Sequence, residues 1–379
     1  MAEPFKNLIN PDRVAEAGAH LQRAWPGFDA AGFQALACQG LEALEMKARA
    51  MQIADALQAT LPADFGAAAT VIEAALAPVV ESPEALQEGW AGTAAAGLSG
   101  WILWPVGEFV ARQGIDEPQR ALQALQAITQ RFTAEFAIRP FIVRHPALVF
   151  DTLAQWLHHP SAHVRRLVSE GSRPRLPWGL RLQALVADPT PTLALLRALQ
   201  DDPSEYVRRS VANHLNDIAK DHPARVAGWL AEHLPGAPPE RRALLRHASR
   251  SLIKAGDAAV LAAWGQAEPL RGRAALAVAP ARIRVGEAIT LGITLASTAP
   301  RPQHLVIDYA VHHAKADGQR TAKVFKGWVI DLAPGEQRQL DKRHSFRPVT
   351  VRRYHPGAHA VDLRVNGQVL AQAEFLLDA

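Results

Sequence analysis

The chain has a single cysteine, Cys38, which excludes a disulfide framework and any cysteine-ligated zinc or iron–sulfur centre. It has no run of about 18 apolar, charge-free residues, the least a membrane-crossing helix requires. Its opening, Met1-Ala-Glu-Pro-Phe-Lys6, lacks the basic stretch and apolar core of a secretory leader. Lysine is scarce too: 8 of the 41 basic side chains, the other 33 being arginine. Against 37 acids the net charge is +4, too mild to announce a nucleic-acid partner by itself. The arginine skew carries more, because a guanidinium grips phosphate or carboxylate with two parallel hydrogen bonds. No Gly-rich phosphate loop, His-Glu-x-x-His pattern or Gly-x-Ser-x-Gly elbow is present. His158, His159 and His163 straddle Pro160 without an evident third ligand, so neither a metal nor a cofactor is expected. A cytosolic location is the expectation, and 379 residues are enough for two or three domains.

Two periodicities divide it. From about Asp12 to Gln266 apolar residues recur three or four apart, as in Phe33, Leu36, Leu41, Leu44, Ala48, Met51 and Ala54, with Pro62 beyond the end. Leu122, Leu125, Ile128, Phe132 and Phe136 repeat the pattern, and Pro140 is expected to stop that helix. Asp188-Pro189, Asp202-Pro203 and His159-Pro160 read as helix starts, a polar cap followed by a proline that has no N–H to leave unpaired. After Arg273 the period falls to two, in about seven short runs separated by turn signals at Asp317-Gly318, Pro334-Gly335 and Asn366-Gly367. A helical domain over 1–270 and an immunoglobulin-like β-sandwich over 275–379 are expected, without the paired cysteines of antibody domains.

The helical half contains a repeat. His159-Pro-Ser-Ala-His-Val-Arg-Arg-Leu-Val168 matches Asp202-Pro-Ser-Glu-Tyr-Val-Arg-Arg-Ser-Val211 at an offset of 43 residues, with a weaker echo from Arg241 to Leu252. That period, carried by helix pairs, points to an all-α solenoid of HEAT-like repeats, units that bury their apolar faces by stacking on one another. Arg166 lies one turn before Glu170, and Arg209 before Asn213 and Asp217, so each copy presents a polar stripe. A solvated, salt-bridged face explains such a stripe equally well. Ser161–Arg181, however, sets Arg165, Arg166, Arg173, Arg175 and Arg181 against one acid, Glu170, and ends near Trp178. Arginines interleaved with a large aromatic ring suit phosphate contacts beside a stacking platform.

Three segments carry a family resemblance: Thr133-Ala-Glu-Phe-Ala-Ile-Arg-Pro-Phe141, His163 to Trp178, and Tyr206 to Pro223. They resemble the AlkC branch of the HEAT-repeat DNA alkylation-repair glycosylases, related to AlkD, as does the opening Phe5-Lys-Asn-Leu-Ile-Asn10. The β segment, with His312-His-Ala-Lys-Ala-Asp-Gly318 and Lys323-Val-Phe-Lys-Gly327, is similar to the immunoglobulin-like domain of one subgroup. The resemblance implies a bacterial, cytoplasmic, nucleoid-acting, monomeric enzyme that binds double-stranded DNA containing alkylated bases and touches no membrane. It would hydrolyse the N-glycosidic bond of cationic N3-alkylated bases, 3-methyladenine and 3-methylcytosine, without flipping them. Carried onto matching positions, it implies Glu135, Glu170 and Asp217 as the acidic site, Trp178 against the deoxyribose, and Arg166 beside them. Arg165, Arg173, Arg175, Arg208, Arg209 and Asn213, and Lys323 in the β segment, are expected to contact DNA.

The chemistry suits those residue types. A base alkylated at N3 is a cation and departs neutral, so no general acid is required. Carboxylates then stabilise charge on the sugar and direct a water to C1′. Lys220, the one lysine in the central motifs, has no apolar surroundings to make it a Schiff-base nucleophile, so the reaction should stop at an abasic site. Simpler roles compete: Glu135 could pair with Arg131 or Arg139, Asp217 with Lys220, and Trp178 could cover the core. Trp101 and Trp104 read as packing, Glu108 as a half-buried helix residue or an extra cleft acid, and Cys38 as a buried inert thiol. Lys315, Arg320, Lys323 and Lys326 fit a second DNA clamp or charges protecting an edge strand. The alternative function is a non-catalytic HEAT-repeat DNA-binding or scaffold protein, which the three acids disfavour.

Overall fold

The computed structural model describes residues 4–79, 82, 96–266, 268–349 and 353–378. Residues 1–3, part of the opening read for a leader, and Ala379, the last of the expected β segment, lie outside them. A helical N-terminal region is followed by β-sheets. Packing groups the chain into two units, Met1–Asp221 with Pro238–Ala248, and His222–Ala237 with Ser249–Ala379. Among the described residues no helix is long and apolar enough to cross a membrane.

The first unit comprises α1 (Pro11–Ala24), α2 (Ala30–Cys38), α3 (Met46–Thr60), α4 (Phe65–Ala75), α5 (Leu103–Gln113), α6 (Pro118–Thr129), α7 (Arg139–Arg144), α8 (Pro146–Trp156), α9 (Ala162–Gly171), α10 (Gln183–Ala187), α11 (Thr190–Leu199), α12 (Glu205–Ile218) and α14 (Pro239–Ala248). Asn10, Asp29 and Asp64 cap α1, α2 and α4 by accepting from backbone amides of the first turn, which satisfies donors the helix itself cannot. The 43-residue offset is structural: α9 and α12 begin that far apart, at Ala162 and Glu205. Arg165 Nη1 donates to the carbonyls of His159 and Pro160, and Arg208 Nη1 to those of Asp202 and Pro203. Each copy thus fastens its helix to the preceding turn in the same way.

Three local expectations change. Asp29–Leu61 is two helices, parted at Gly40, which sits at φ 65°; the phase resets there, and Leu36 is left exposed. Pro140 begins a helix rather than ending one. α6 stops at Thr129, and α7 starts at Arg139 with the proline in its first turn, where its ring meets no preceding carbonyl. The residues between, 130–138, are therefore not helical, and Glu135 stands in that break. Asp202 and His159 do not cap their helices directly. Asp202 Oδ1 accepts from Ser204 N and His159 Nδ1 from Ser161 N, so each closes the turn that precedes the helix.

In the second unit, α13 (Pro223–His233), α15 (Arg250–Ala255) and α16 (Ala258–Ala263) accompany β1 (Gly272–Ala279), β2 (Arg282–Arg284), β3 (Ala288–Ser297), β4 (Gln303–Ala314), β5 (Arg320–Leu332), β6 (Gln337–Ser345), β7 (Gly357–Val365) and β8 (Gln368–Asp378). One sheet runs β1-β3-β6, the other β2-β8-β7-β4-β5. Alternate residues of β3 (Ile289, Leu291, Ile293 and Leu295) meet Tyr309 and Val311, Leu305 and Ile307, and Val361 and Leu363 of the other sheet, so the two inner faces form one sandwich core. All three turn signals fall between strands. Between β2 and β3 the chain breaks near Gly286 (φ 105°). β6, Gln-Arg-Gln-Leu-Asp-Lys-Arg-His-Ser, lacked an apolar alternation to mark it; among the described residues it is an edge strand paired with β3 alone, where charge is the usual protection.

Candidate active site

The break between α6 and α7 delivers Glu135, the last turn of α9 delivers Glu170, and the last turn of α12 delivers Asp217. Two arginines join them. Arg166 Nη1 lies 2.9 Å from Glu135 Oε2, and its Nη2 lies 3.7 Å from Glu170 Oε1. Arg173 Nη1 donates to Glu170 Oε1 at 2.6 Å, while its Nε and Nη2 reach Asp217 Oδ2 at 2.8 Å. Lys220 Nζ donates to Asp217 Oδ1 at 2.8 Å. The result is a row of alternating charge: Glu135, Arg166, Glu170, Arg173, Asp217, Lys220. Glu170 and Asp217 each lie between two cations, and Glu135, at the end of the row, borders Arg166 alone.

The three acids differ in what they have left to offer. Glu170 is saturated, since Ser210 Oγ donates to its Oε2 at 2.6 Å and the arginines occupy Oε1. Burial alone would raise its pKa; Arg166, Arg173 and the Ser210 hydrogen bond hold it below the ordinary carboxylate value. Asp217 has a cation on each oxygen. Glu135 accepts from Thr133 Oγ1 (2.5 Å) and Arg166 on Oε2 alone, and among the described residues no hydrogen bond or ion pair falls on its Oε1. Tyr206 lies beneath Arg166, whose Cζ is 4.8 Å from the ring centroid, a cation–π contact that keeps the guanidinium between its two acids.

Trp178 is 61 % exposed, and its backbone sits at φ 64°. A non-glycine side chain in that region is strained. Its ring stacks on Trp104 (centroids 6.1 Å apart, planes 6°) and touches Phe5 at 5.8 Å. Trp104 in turn stacks on Phe136, and Trp101 meets Phe5, Trp104 and Phe132. Trp101 and Trp104 are packing residues, as expected, and what they pack is the base of an exposed aromatic platform. The Phe5–Leu8 turn that reaches it is anchored by buried Arg49, which donates to the carbonyls of Lys6 and Ile9.

The remaining positions fall into separate places. Arg165 is bidentate to Asp202 as well as fastened to its turn, and Arg208 is fastened likewise. Arg175 is bidentate to Asp221. Arg209 is exposed and has no hydrogen-bond or ion-pair partner among the described residues. It lines a concavity of about 460 Å³ with Arg208, Ala212, Glu240, Leu244 and His247. Asn213 accepts from His247 Nε2 at 2.8 Å. Lys323 belongs to the second unit, exposed on edge strand β5 with its Nζ 5.2 Å from the Phe325 ring. Arg131 and Arg139 donate to backbone carbonyls, leaving Glu135 to Arg166. Glu108 pairs with Arg112. Cys38 is half-buried rather than buried. Among the described residues no three His, Cys, Asp or Glu side chains are grouped to hold a metal.

Sequence reasoning missed Tyr206, Ser210 and Arg139. For the first two a signal was there: at the 43-residue offset His163 becomes Tyr206 and apolar Leu167 becomes polar Ser210. A repeat position that trades a core residue for a hydroxyl marks where the copies stop being equivalent.

A family model described as uncharacterised protein YhaZ, C-terminal Ig-like domain, matches residues 273–379. The Bacillus subtilis (strain 168) protein YhaZ is 34 % identical over 374 residues, spanning 98 % of each chain. A solved structure of the Pseudomonas fluorescens alkylpurine DNA glycosylase AlkC, bound to DNA containing an abasic site analogue, matches over the full length of both chains at 36 % identity and a TM-score of 0.86. The chain therefore belongs to the AlkC-type family of DNA alkylation-repair glycosylases, in the branch that carries a C-terminal immunoglobulin-like domain.

Proposed function

We propose that this chain is a monofunctional DNA glycosylase that removes cationic N3-alkylated bases from duplex DNA in the bacterial cytoplasm. The observation that carries the reading is the row in which Arg166 and Arg173 draw Glu135, Glu170 and Asp217 together from three separate segments. A protein that only bound DNA would gain nothing from gathering acids in a cleft.

The chemistry follows from what each acid has free. Water adds its oxygen to C1′ of the lesion sugar as the C1′–N bond breaks. The bonding pair leaves with the base, which departs neutral because it began as a cation. Glu135 takes the water's proton on Oε1, and all three carboxylates stabilise the positive sugar in a poorly hydrated cleft. Glu170 serves chiefly to hold Arg166 and Arg173 in place. The Trp178 face lies against the sugar, where attraction for a cation is worth about 0.5–2 kcal/mol. Lys220 is engaged by Asp217, which favours hydrolysis that stops at an abasic site. A solvent-exposed aromatic platform, which a ring can stack against without leaving the duplex, supports excision without flipping. The helical domain over 1–270 would act as a monomer on one lesion, with the β domain over 275–379 as a second DNA contact through Lys323.

The test is base release. Incubated with methylated duplex DNA, the protein should liberate 3-methyladenine and 3-methylcytosine, and Glu135→Gln should lose about a hundredfold to a thousandfold in rate while staying folded. Salt-sensitive DNA binding with no base released would defeat the reading in favour of a scaffold.

A further inference from the structure

Arg139 is, among the described residues, the largest of the fully buried side chains, 0 % exposed in the first turn of α7, and the chemistry above makes no use of it. Three parts of the site meet on it. Its own backbone ends the non-helical segment that holds Thr133 and Glu135. Its Nη1 donates to the carbonyl of Gly171 at 2.8 Å, the residue after Glu170. Its Nε donates to the carbonyl of Leu180, two residues past Trp178. Its Nη2 has no hydrogen-bond partner among the described residues. A buried guanidinium with an unused donor is a standing expense in stability, and a hydrophobic residue would fill the space without it.

The loop is fitted to that side chain. A Cβ at Gly179 would come within 3.2 Å of Arg139 Cδ and Nε and 3.0 Å of Leu176 Cδ2. The loop closes on itself through Gly179 N to Leu176 O and Leu182 N to Pro174 O, at 3.3 and 3.2 Å. Trp178 takes its left-handed backbone inside both closures. Burial, reinforced by Arg173, lowers the Arg139 pKa to about 10, and Glu135, Asp217 and Glu170 act against that fall. The guanidinium therefore lies within the field of all three acids.

We propose that Arg139 is a positioning residue: it sets the Trp178 loop in register with the end of α9, so that the aromatic platform and the Glu170 carboxylate keep one geometry as DNA enters. The consequence for rate rests on the glycosylase reading; the positioning itself does not. A planar fork holds two carbonyls at a fixed spread, which a lysine ammonium cannot.

Full-length Arg139→Lys and Gly179→Ala are compared with the unaltered protein by hydrogen exchange, base release and binding to duplex DNA. Exchange across residues 173–182 should quicken about tenfold or more in both variants while exchange across 205–218 is unchanged, a local effect that general destabilisation would not give. kcat should fall about tenfold to a hundredfold with KM nearly constant. Arg139→Lys added to Trp178→Ala should bring no further loss. Wild-type exchange across 173–182 in both variants, or losses that multiply with that of Trp178→Ala, would overturn the proposal. If Arg139→Lys fails to fold, Gly179→Ala interrogates the same contact from the loop side. If the unaltered protein releases no base, the glycosylase reading falls, and the exchange experiment alone still decides the role of Arg139.

Discussion

Arg173 and Asp217, 44 residues apart in sequence, meet through two nitrogens, Nε and Nη2, on a single carboxylate oxygen at 2.8 Å. The third nitrogen of the same guanidinium holds Glu170. Removing this side chain leaves two buried carboxylates without their shared cation. Arg173→Met should therefore lower stability by about 3–5 kcal/mol, the usual consequence of breaking a buried pair from one side. Urea unfolding measures it, and a change within about 1 kcal/mol would mean the acids find other partners.

Trp178 should behave in the opposite sense. Glycine adopts its backbone conformation freely, so Trp178→Gly relieves about 1–2 kcal/mol of strain while losing about 0.5–1.5 kcal/mol of stacking on Trp104. Stability should stay near the starting value, and base release should fall about tenfold or more. Paired melting and activity curves test this; a variant as active as the parent would remove the platform from the mechanism.

The repeat arginines separate by the same logic. Arg209 is exposed, with no hydrogen-bond or ion-pair partner among the described residues, so Arg209→Ala should reduce the slope of log binding constant against log salt by about 1, the change expected when one phosphate is no longer neutralised. Arg208→Ala, which unfastens the start of α12, should leave that slope unchanged and lower the melting temperature. Slopes equal to the parent's in both variants would show that neither touches a phosphate.

His214 sets an acid limit on the fold. It is buried between α9 and α12, with Nδ1 donating to the Ser169 carbonyl, and burial lowers its pKa to about 3 from an ordinary 6.5. The unfolded chain takes a proton there below about 6.5, whereas the folded protein takes none until about 3. Its contribution is therefore complete above that window and is lost as pH falls through it, by about 1.4 kcal/mol per unit. Glu170, held below its ordinary pKa, adds loss in the same direction below about 4.5. Urea midpoints between pH 6.5 and 5 should be markedly flatter for His214→Gln than for the parent; parallel curves would exclude the histidine.

How much of this could be read beforehand depended on whether a residue's job was local. The turns at Asp317-Gly318, Pro334-Gly335 and Asn366-Gly367 were legible because backbone conformation selects those residues on the spot. The change of period near Arg273 was legible because burial on one face repeats along the chain. The pairing of Arg165 was not, since five donors on a guanidinium look alike whether they await phosphate or already hold Asp202. The Glu135 break was misread for a related reason. Phe132 and Phe136 continue the helical spacing of Leu125 and Ile128, but they are spent on Trp101 and Trp104, a tertiary demand that periodicity does not express.

The two matched helix starts, clamped by Arg165 and Arg208, have a consequence for how such a centre arises. With the chassis built twice, either copy keeps its foothold through the shared clamp, and positions further along are released to diverge. Leu167 and Pro174 in one copy correspond to Ser210 and Asp217 in the other. Overwriting the second repeat copy with the first would remove the hydroxyl and carboxylate that face Glu170 and Arg173. The cluster of acids and arginines is thus a product of the disagreement between duplicates, while their agreement supplies only the frame.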